Sequence, residues 1–151
     1  MELTYSCVKL AELTAHSMLE IGLLRQKIFI LEQRCLYPDL DDADFNAWHV
    51  LARDANEHLV AYLRILAPGV RYEEPSIGRL AVAEQHRRSG VGTRLLEEGM
   101  RLTAKHYPNL PIKLSAQTYT LSMYHNAGFV SMGKEYLEDD IPHQAMIYRG
   151  K

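Results

Sequence analysis

Cysteine is scarce in this sequence of 151 residues, with only Cys7 and Cys35 present. The two residues have neither the spacing of a zinc knuckle nor the density of a secreted disulfide scaffold, which favours a reducing compartment. The sequence also lacks a basic N-terminal region followed by a sustained apolar stretch, and no run approaches the ~20 apolar residues of a membrane span. We therefore expect an untargeted cytoplasmic protein with no membrane partner.

A large excess of charge of either sign is also missing. Seventeen basic and nineteen acidic side chains give a formal net charge of -2, so the composition does not support nucleic acid or an anionic membrane as a partner. Hydrophobic residues make up 47% of the sequence and charged residues 24%, which is typical of a soluble folded protein. The length predicts a single domain over residues 1–151.

Three helices are predicted from hydrophobic periodicity and end signals. The first begins at a capping box formed by Ser17 and Glu20 and ends near Cys35. The second starts at Val91 and stops at Tyr107-Pro108-Asn109, and a third, brief helix is closed by Gly128. The apolar face of the first helix consists of Ile21, Leu24, Ile28 and Leu31; that of the second consists of Val91, Leu95, Leu96, Gly99 and Leu102.

Apolar runs between these helices predict seven strands, and the alternation of strands with helices in the second half predicts an α/β domain with a mixed sheet. The predicted strands cover residues 5–10, 46–54, 58–66, 76–82, 111–116, 130–137 and 144–149.

Residues 85–93, QHRRSGVGT, place two arginines and two glycines between a predicted strand and a predicted helix; we call this segment the glycine turn. Each glycine costs conformational entropy, which indicates that a ligand approaches this backbone closely. Unpaired N–H groups at a helix N-terminus favour an anion. A Rossmann fingerprint would need glycine at Leu95, and a P-loop would need lysine before serine or threonine where the chain has Thr93-Arg94, so neither motif fits.

The remaining pattern, R-x-x-G-x-G from Arg87 to Gly92, resembles the acetyl-CoA pyrophosphate loop of the GNAT N-acetyltransferase superfamily. Downstream, the segment SMYHNAGF is similar to the Y-x-x-x-G-F ending of the last helix in that superfamily. The segments LRQKIFILEQ, YPDLDD, AWHVL, IGRLAV and YLEDDIPHQAM resemble the ElaA-like GNAT proteins over nearly the whole chain.

This resemblance implies a GNAT fold, in which a mixed central sheet of about seven strands is splayed in the middle and flanked by about four helices. It implies acetyl-CoA as cosubstrate and no metal. The resemblance further implies that backbone groups of Leu80, Ala81 and Val82 hold the pantetheine arm and that the amide of Leu80 polarises the thioester carbonyl. The backbone N–H groups expected to receive the pyrophosphate belong to Arg88, Ser89, Gly90, Val91, Gly92 and Thr93.

Two side chains of the implied cofactor site have further expected roles. At least one of Arg87 and Arg88 is expected to contact phosphate. Gln117 stands where many members of the superfamily carry an asparagine that faces the pantetheine arm, and its amide can make similar hydrogen bonds with a longer reach.

The implied reaction is direct attack of a primary amine on the thioester, without a covalent enzyme intermediate. For an amine of pKa ~10.4, deprotonation at pH 7 costs about 4.6 kcal/mol, so a base or a desolvating pocket is required. Tyr124 stands at the position of the superfamily's tyrosine acid, where it assists the leaving thiolate by hydrogen bonding or proton donation. Glu32, Glu135 and His143 are candidate bases, since their segments carry the ElaA resemblance.

The alternative function is a CoA-binding sensor or interaction module with little turnover. The amine acceptor stays open between small molecules and peptide or protein amines, and a homodimer is implied only by the resemblance.

The acidic run Asp39, Asp41, Asp42 and Asp44 leaves two interpretations open. It does not form an EF-hand, because Asp44 and Val50 stand where glycine and glutamate are needed. The run is either a solvated loop or a rim that attracts a cationic amine. His49, in an apolar strand, is predicted to be a satisfied interior histidine, and the two cysteines to be small packing residues.

Overall fold

The computed structural model describes residues 1–150 and contains a seven-stranded mixed sheet in the order β1-β2-β3-β4-β5-β7-β6. Three α-helices are present in these residues, close to the four expected, and the first continues into a π-helical segment. The strands are β1 (Thr4–Val8), β2 (Trp48–Arg53), β3 (Leu59–Leu66), β4 (Ser76–Val82), β5 (Ile112–Gln117), β6 (Val130–Glu138) and β7 (Ile141–Tyr148). The helices are α1 (Ala15–Arg25), α2 (Val91–His106) and α3 (Leu121–Asn126), with the π-helical segment at Gln26–Glu32.

The sheet is splayed between β4 and β5, as predicted. These two parallel strands share one registered pair, Ser76 with Lys113, and the Lys113 N–H donates to the Pro75 carbonyl at 3.0 Å. Every other neighbouring pair of strands is antiparallel and has at least five registered pairs. From this single contact the sheet opens toward Val82 and Gln117.

Helix α2 packs against the sheet through the predicted apolar face, which is buried. Gly99 matters in this contact, because a Cβ atom there would lie 2.7 Å from Cδ2 of Leu63 on β3. The glycine therefore lets the helix approach the sheet closely and fixes where the N-terminus of α2 meets the splay. Among residues 1–150 no helix is both long and apolar enough to cross a bilayer.

A β-bulge interrupts the pairing of β3 with β4. Tyr62 pairs with Ala81 and Arg64 pairs with Gly78, so two residues of β4 lie opposite one residue of β3. The first of these two, Arg79, has φ +52°, a left-handed conformation in the middle of a strand. The bulge lies beside the splay and redirects the main chain of β4 there.

The N-terminal helix differs from its prediction at both ends. Its N-cap is Thr14, whose side chain accepts a hydrogen bond from the Ser17 N–H, and the predicted capping box of Ser17 is wrong. At the other end α1 becomes π-helical, and the Gln33 N–H donates to the Ile28 carbonyl five residues back. This wider winding breaks the 3.6-residue period, so Leu31 is 64% exposed although the α-helical pattern would bury it.

The C-terminal elements follow the sequence pattern more closely. Gly128 has φ +106° and its N–H donates to the His125 carbonyl at 3.0 Å, which ends α3 as predicted. Strand β7 begins at Ile141, three residues before the predicted start, because the hairpin turn at Asp139 and Asp140 is tight and pairing with β6 resumes at once.

Candidate active site

The splay between β4 and β5 opens into a cleft of about 500 Å³. Its walls are the π-helical segment, the first turn of α2, helix α3 and the β6–β7 hairpin. Eight of the predicted site residues line this cleft: Glu32, Leu80, Val82, Arg87, Gly92, Gln117, Tyr124 and His143.

The other predicted site residues do not line the cleft: Ala81, Arg88, Ser89, Gly90, Val91, Thr93 and Glu135. The side chains of Ala81 and Val91 are buried in the core, so these two residues can offer a ligand only main-chain groups. Glu135 is exposed on β6, and the structure does not bring it to the other candidate bases.

The glycine turn leaves the first turn of α2 without a side-chain cap. Arg88 has φ +60° and Gly90, the N-cap residue, has φ +84°, and no side chain accepts a hydrogen bond from the helix start. The first-turn N–H groups are therefore available to an anion, and the helix dipole points the same way. A Cβ atom on Gly92 would touch Val82 and Met123 at 3.4 and 3.7 Å, so any longer side chain there would extend into the cleft.

Arg87 is held at the mouth of the cleft by two partners. Its Nε donates to the Val82 carbonyl at 3.2 Å, and its Nη2 donates to Glu32 Oε2 at 2.8 Å. Glu32, a candidate base, is thus engaged by an arginine of the glycine turn. The ion pair joins the end of the π-helical segment to the turn that was predicted to bind phosphate.

A second contact crosses the cleft beside this ion pair. The side-chain amides of Gln33 and Gln117 donate to each other, at 3.1 and 3.3 Å. Gln117 therefore lines the cleft from β5, and its side-chain amide is hydrogen-bonded to Gln33, the residue directly after the π-helical segment. Gln33 is a site residue that the sequence did not indicate.

Tyr124 projects from α3 into the cleft and is buried. Its ring packs edge-on against Phe129 with centroids 6.0 Å apart. Burial raises the pKa of its hydroxyl above the ordinary value, and the neighbouring Tyr119 adds to the shift. The phenol is therefore protonated at neutral pH and can donate a hydrogen bond.

His143 on β7 is buried, lines the cleft and pairs in register with Gln117 of β5. Its Nδ1 lies 2.7 Å from the Ile141 carbonyl, and because a carbonyl only accepts, Nδ1 carries the proton of the neutral ring. Nε2 is then the basic nitrogen and lies 3.4 Å from Glu138 Oε2. Glu138 is also bound by Arg71, which extends from the β3–β4 loop.

Most of the acidic run is neither a solvated loop nor a free rim. Asp39, Asp41 and Asp44 are bound by three arginines of α1, β3 and β4, and both interpretations of the run are wrong for these residues; Asp42 alone is exposed without an ion pair. We call the six residues the arginine–aspartate cluster: Arg25, Arg64, Arg79, Asp39, Asp41 and Asp44.

Burial alone would raise the pKa of Asp44, but hydrogen bonds and the charges of Arg25 and Arg64 outweigh it and lower the pKa to about 2. His49 contacts the cluster as a satisfied interior histidine, as predicted, since its two ring nitrogens meet the Tyr62 hydroxyl and the Asp44 carbonyl at 2.7 and 3.0 Å.

The cluster could have been recognised from the sequence. An arginine within an apolar run has to find a carboxylate when the run is buried. Arg64 in LVAYLRIL and Arg79 in SIGRLAV are such residues, and the acidic run supplies four carboxylates within six residues. No such signal exists for Gln33, because its partner is 84 residues away in the sequence.

Comparison with known proteins agrees with the fold. The family model for the acetyltransferase (GNAT) domain matches residues 30–149. The chain is 36% identical to UPF0039 protein sll0451 of Synechocystis over 99% of this chain and 97% of that protein. It is 35% identical to protein ElaA of Escherichia coli over 90% of each chain.

Solved structures give the same result. The crystal structure of an acyl-CoA N-acyltransferase from Pseudomonas aeruginosa superposes with a TM-score of 0.90 at 33% identity, covering 97% of this chain and 99% of that one. The crystal structure of Escherichia coli ElaA also superposes with a TM-score of 0.90, at 32% identity and the same coverage. The chain belongs to the GNAT acetyltransferase family. Within that family, ElaA is a relative at the level of both sequence and structure.

Proposed function

We propose that this protein transfers the acetyl group of acetyl-CoA to a primary amine by direct attack within a ternary complex. The observation that carries the proposal is the cleft itself, which is lined by the first turn of α2, by Leu80 in the bulge of β4 and by His143. The uncapped start of α2 suits a pyrophosphate, and His143 can accept a proton.

The residues present fit acetyl-CoA. The splayed strands β4 and β5 leave room for an arm that hydrogen-bonds as a strand would, with main-chain groups of Leu80, Ala81 and Val82 as its partners. The first-turn N–H groups of α2 receive the pyrophosphate, and Gly92 keeps the approach open. Leu80, the second residue of the bulge, supplies the N–H that polarises the thioester carbonyl.

His143 is the better of the two candidate bases that line the cleft. Its Nε2 can accept the proton of an incoming ammonium, while Nδ1 stays fixed on the Ile141 carbonyl. Glu138, close to Nε2, stabilises the imidazolium that results. Glu32 is less suited, because its carboxylate already binds Arg87 at the phosphate end.

Tyr124 acts on the leaving group. Its neutral, buried hydroxyl donates a hydrogen bond to the sulfur as negative charge develops there. Full proton transfer from tyrosine to a thiolate of cysteine-like pKa is uphill by about 2 kcal/mol in solution, so hydrogen bonding carries at least as much of the effect as proton donation.

The charged residues that line the cleft do not select a narrow class of amine acceptor. The carboxylates among its described lining residues are Glu32, Asp39, Glu138 and Asp139, and the arginines are Arg64, Arg71, Arg79 and Arg87. The negative and positive side chains are equal in number, so the electrostatic potential of the cleft favours neither a dication nor an acidic peptide. The acceptor class is therefore a small-molecule or peptide primary amine.

Two measurements test the proposal. Acetyl-CoA at about 100 times its dissociation constant should stabilise the native state by about 2.7 kcal/mol, which calorimetry detects as a higher melting temperature. Free thiol should then be released when a panel of amines is added. The absence of a melting shift would contradict acetyl-CoA binding, and binding without thiol release for any amine would favour a CoA sensor instead.

A further inference from the structure

Arg79 has no part in the proposed chemistry, although it lines the cleft and has an unfavourable backbone conformation. Its φ of +52° lies in the left-handed region, inside strand β4. Any residue with a Cβ atom is disfavoured there, so the conformation persists only where the surroundings hold it. The contacts of the Arg79 side chain identify what holds it.

The guanidinium of Arg79 is fixed to the loop that precedes β2. Nε lies 2.9 Å from Asp39 Oδ1, and Nη2 donates to the Asp39 carbonyl at 3.1 Å. Nη2 also lies 3.4 Å from Asp41 Oδ2. A planar guanidinium held by main-chain and carboxylate oxygens has its direction fixed as well as its position.

The two aspartates are themselves immobilised. Asp39 accepts from Arg25 Nε at 2.8 Å, and Arg25 is fully buried. Asp41 accepts from Arg64 Nη1 at 2.6 Å, and Arg64 is 2% exposed. Arg79 is therefore attached through a rigid arginine–aspartate cluster to helix α1 and strand β3.

The backbone of Arg79 sets the direction of the Leu80 N–H. That N–H belongs to the peptide unit that joins the two residues, and peptide units are planar. The bulge places both residues opposite Leu63, between the pairs Tyr62–Ala81 and Arg64–Gly78. A change in the conformation of Arg79 would therefore turn the Leu80 N–H.

We propose that Arg79 is a positioning residue for acyl transfer, whose side chain, held by Asp39 and Asp41, fixes the bulge that aims the Leu80 N–H into the cleft. The inference rests on the proposed function, because Leu80 acts only when a thioester is bound. It adds a catalytic purpose to the arginine–aspartate cluster, which otherwise would serve stability alone.

Three substitutions separate the side chain of Arg79 from its backbone. Arg79→Ala removes the anchor and keeps the penalty for a left-handed φ, whereas Arg79→Gly removes both. Arg79→Lys keeps the positive charge but loses the planar guanidinium, which can donate to two acceptors at once. Arg53→Ala is the matched control, because the Arg53 side chain is 22% exposed against 23% for Arg79 and pairs with Glu20 at 3.0 Å outside the cleft.

We expect kcat to fall about 100-fold in R79A, as when an oxyanion donor is lost, while the dissociation constant of CoA changes by less than about twofold. R79G should retain more activity than R79A, because glycine adopts the bulge conformation without an anchor. R79K should lose about tenfold in kcat. In ¹⁵N-leucine spectra of the free protein, the Leu80 amide resonance should move in R79A and stay in place in R53A.

Several results would overturn the inference. One is a kcat in R79A within about twofold of the wild type, and another is an equal loss in R53A. Equal activities of R79A and R79G would show that the side chain acts on the substrate and not through the backbone. If R79A does not fold, R79K is judged by kcat, CoA affinity and the Leu80 resonance in the same way.

Failure of the proposed function gives a different pattern. A wild-type protein that binds CoA and releases no thiol with any amine would contradict acyl transfer. The Leu80 resonance would still decide the positioning role, because an unchanged resonance in R79A overturns it with or without turnover.

Discussion

The glycine turn and the arginine–aspartate cluster both border the cleft but are built in different ways. The glycine turn is one continuous stretch of chain that offers main-chain N–H groups at the uncapped start of α2. The cluster joins side chains from three elements and the loop before β2, and four of its members, Arg25, Arg64, Asp39 and Asp44, are buried. Substitutions in the two regions should therefore have different effects, with loss of binding at the glycine turn and loss of stability or turnover at the cluster.

The largest effect is expected in the arginine–aspartate cluster. Arg25→Ala leaves the carboxylates of Asp39 and Asp44 buried without their main partner, and removal of one member of a buried ion pair costs about 3–5 kcal/mol. Urea unfolding measures this loss. Arg101→Ala, which breaks an exposed ion pair with Glu98 on α2, is the control and should leave the unfolding curve unchanged. An equal effect of the two substitutions would refute a structural role for the cluster.

At the glycine turn the expected loss is in binding. Gly92→Glu places a carboxylate where the pyrophosphate should lie, and CoA affinity should fall at least about 100-fold by calorimetry. The fold should persist, because a Cβ atom at Gly92 makes only ordinary contacts. Gly22→Glu on α1 is the control, since nothing lies within 4 Å of a Cβ atom there. Unchanged affinity in G92E would mean that the phosphate binds elsewhere.

Within the cleft, Tyr124→Phe should affect turnover alone. Loss of the hydroxyl should lower kcat about 100-fold while CoA affinity stays within about twofold. Tyr148→Phe is the matched control, because Tyr148 also packs against Phe129 but does not line the cleft. Wild-type turnover of Y124F with several acceptors would contradict the acid role.

Acid should reduce the stability that the arginine–aspartate cluster contributes, whereas the main-chain groups of the glycine turn do not titrate. The pKa of Asp44 is about 2 in the folded protein, below its ordinary value of 3.8. The stabilisation is therefore present above pH ~4 and is lost as the pH falls toward 2, by about 2 kcal/mol. Unfolding curves between these pH values measure it. Asp44→Asn should flatten the dependence, and Asp42→Asn, at an exposed residue without an ion pair, should leave it unchanged.

The smallest effect concerns the ion pair across the mouth of the cleft. Glu32→Gln releases Arg87 for phosphate, so CoA should bind about two- to fivefold more tightly, as the worth of an exposed ion pair suggests. Glu20→Gln, which weakens the pair with Arg53 away from the cleft, should not change the affinity. A large loss of kcat in E32Q would instead identify Glu32 as the base.

The two regions also differ in how far the sequence predicts them. The sequence predicts the glycine turn because its residues are neighbours in the chain and glycine spacing depends directly on backbone geometry. It predicts the splay and the buried face of α2 for the same reason, through a resemblance between local segments and through periodicity. These features depend on short stretches that can be interpreted one at a time.

The features that the sequence does not predict depend on contacts between distant segments of the chain. The pair of Gln33 with Gln117 and the role of Asp39 beside Arg79 arise only after the chain has folded. The π-helical winding after Arg25 was missed because it inserts an extra residue per turn without a sequence signal of its own. The acidic run alone does not predict its ion pairs, because the arginines that neutralise it lie on three other elements of the chain.

The single registered pair between β4 and β5 has a consequence for the lifetime of the protein. Main-chain groups beyond Ser76 and Lys113 have no strand across the gap, and in the proposed function the pantetheine arm fills that place. The sheet would then be completed by a metabolite, and resistance to unfolding would rise with the concentration of that metabolite. Since proteases act on the open form, the supply of acyl-CoA would govern how long each copy survives as well as how fast it works.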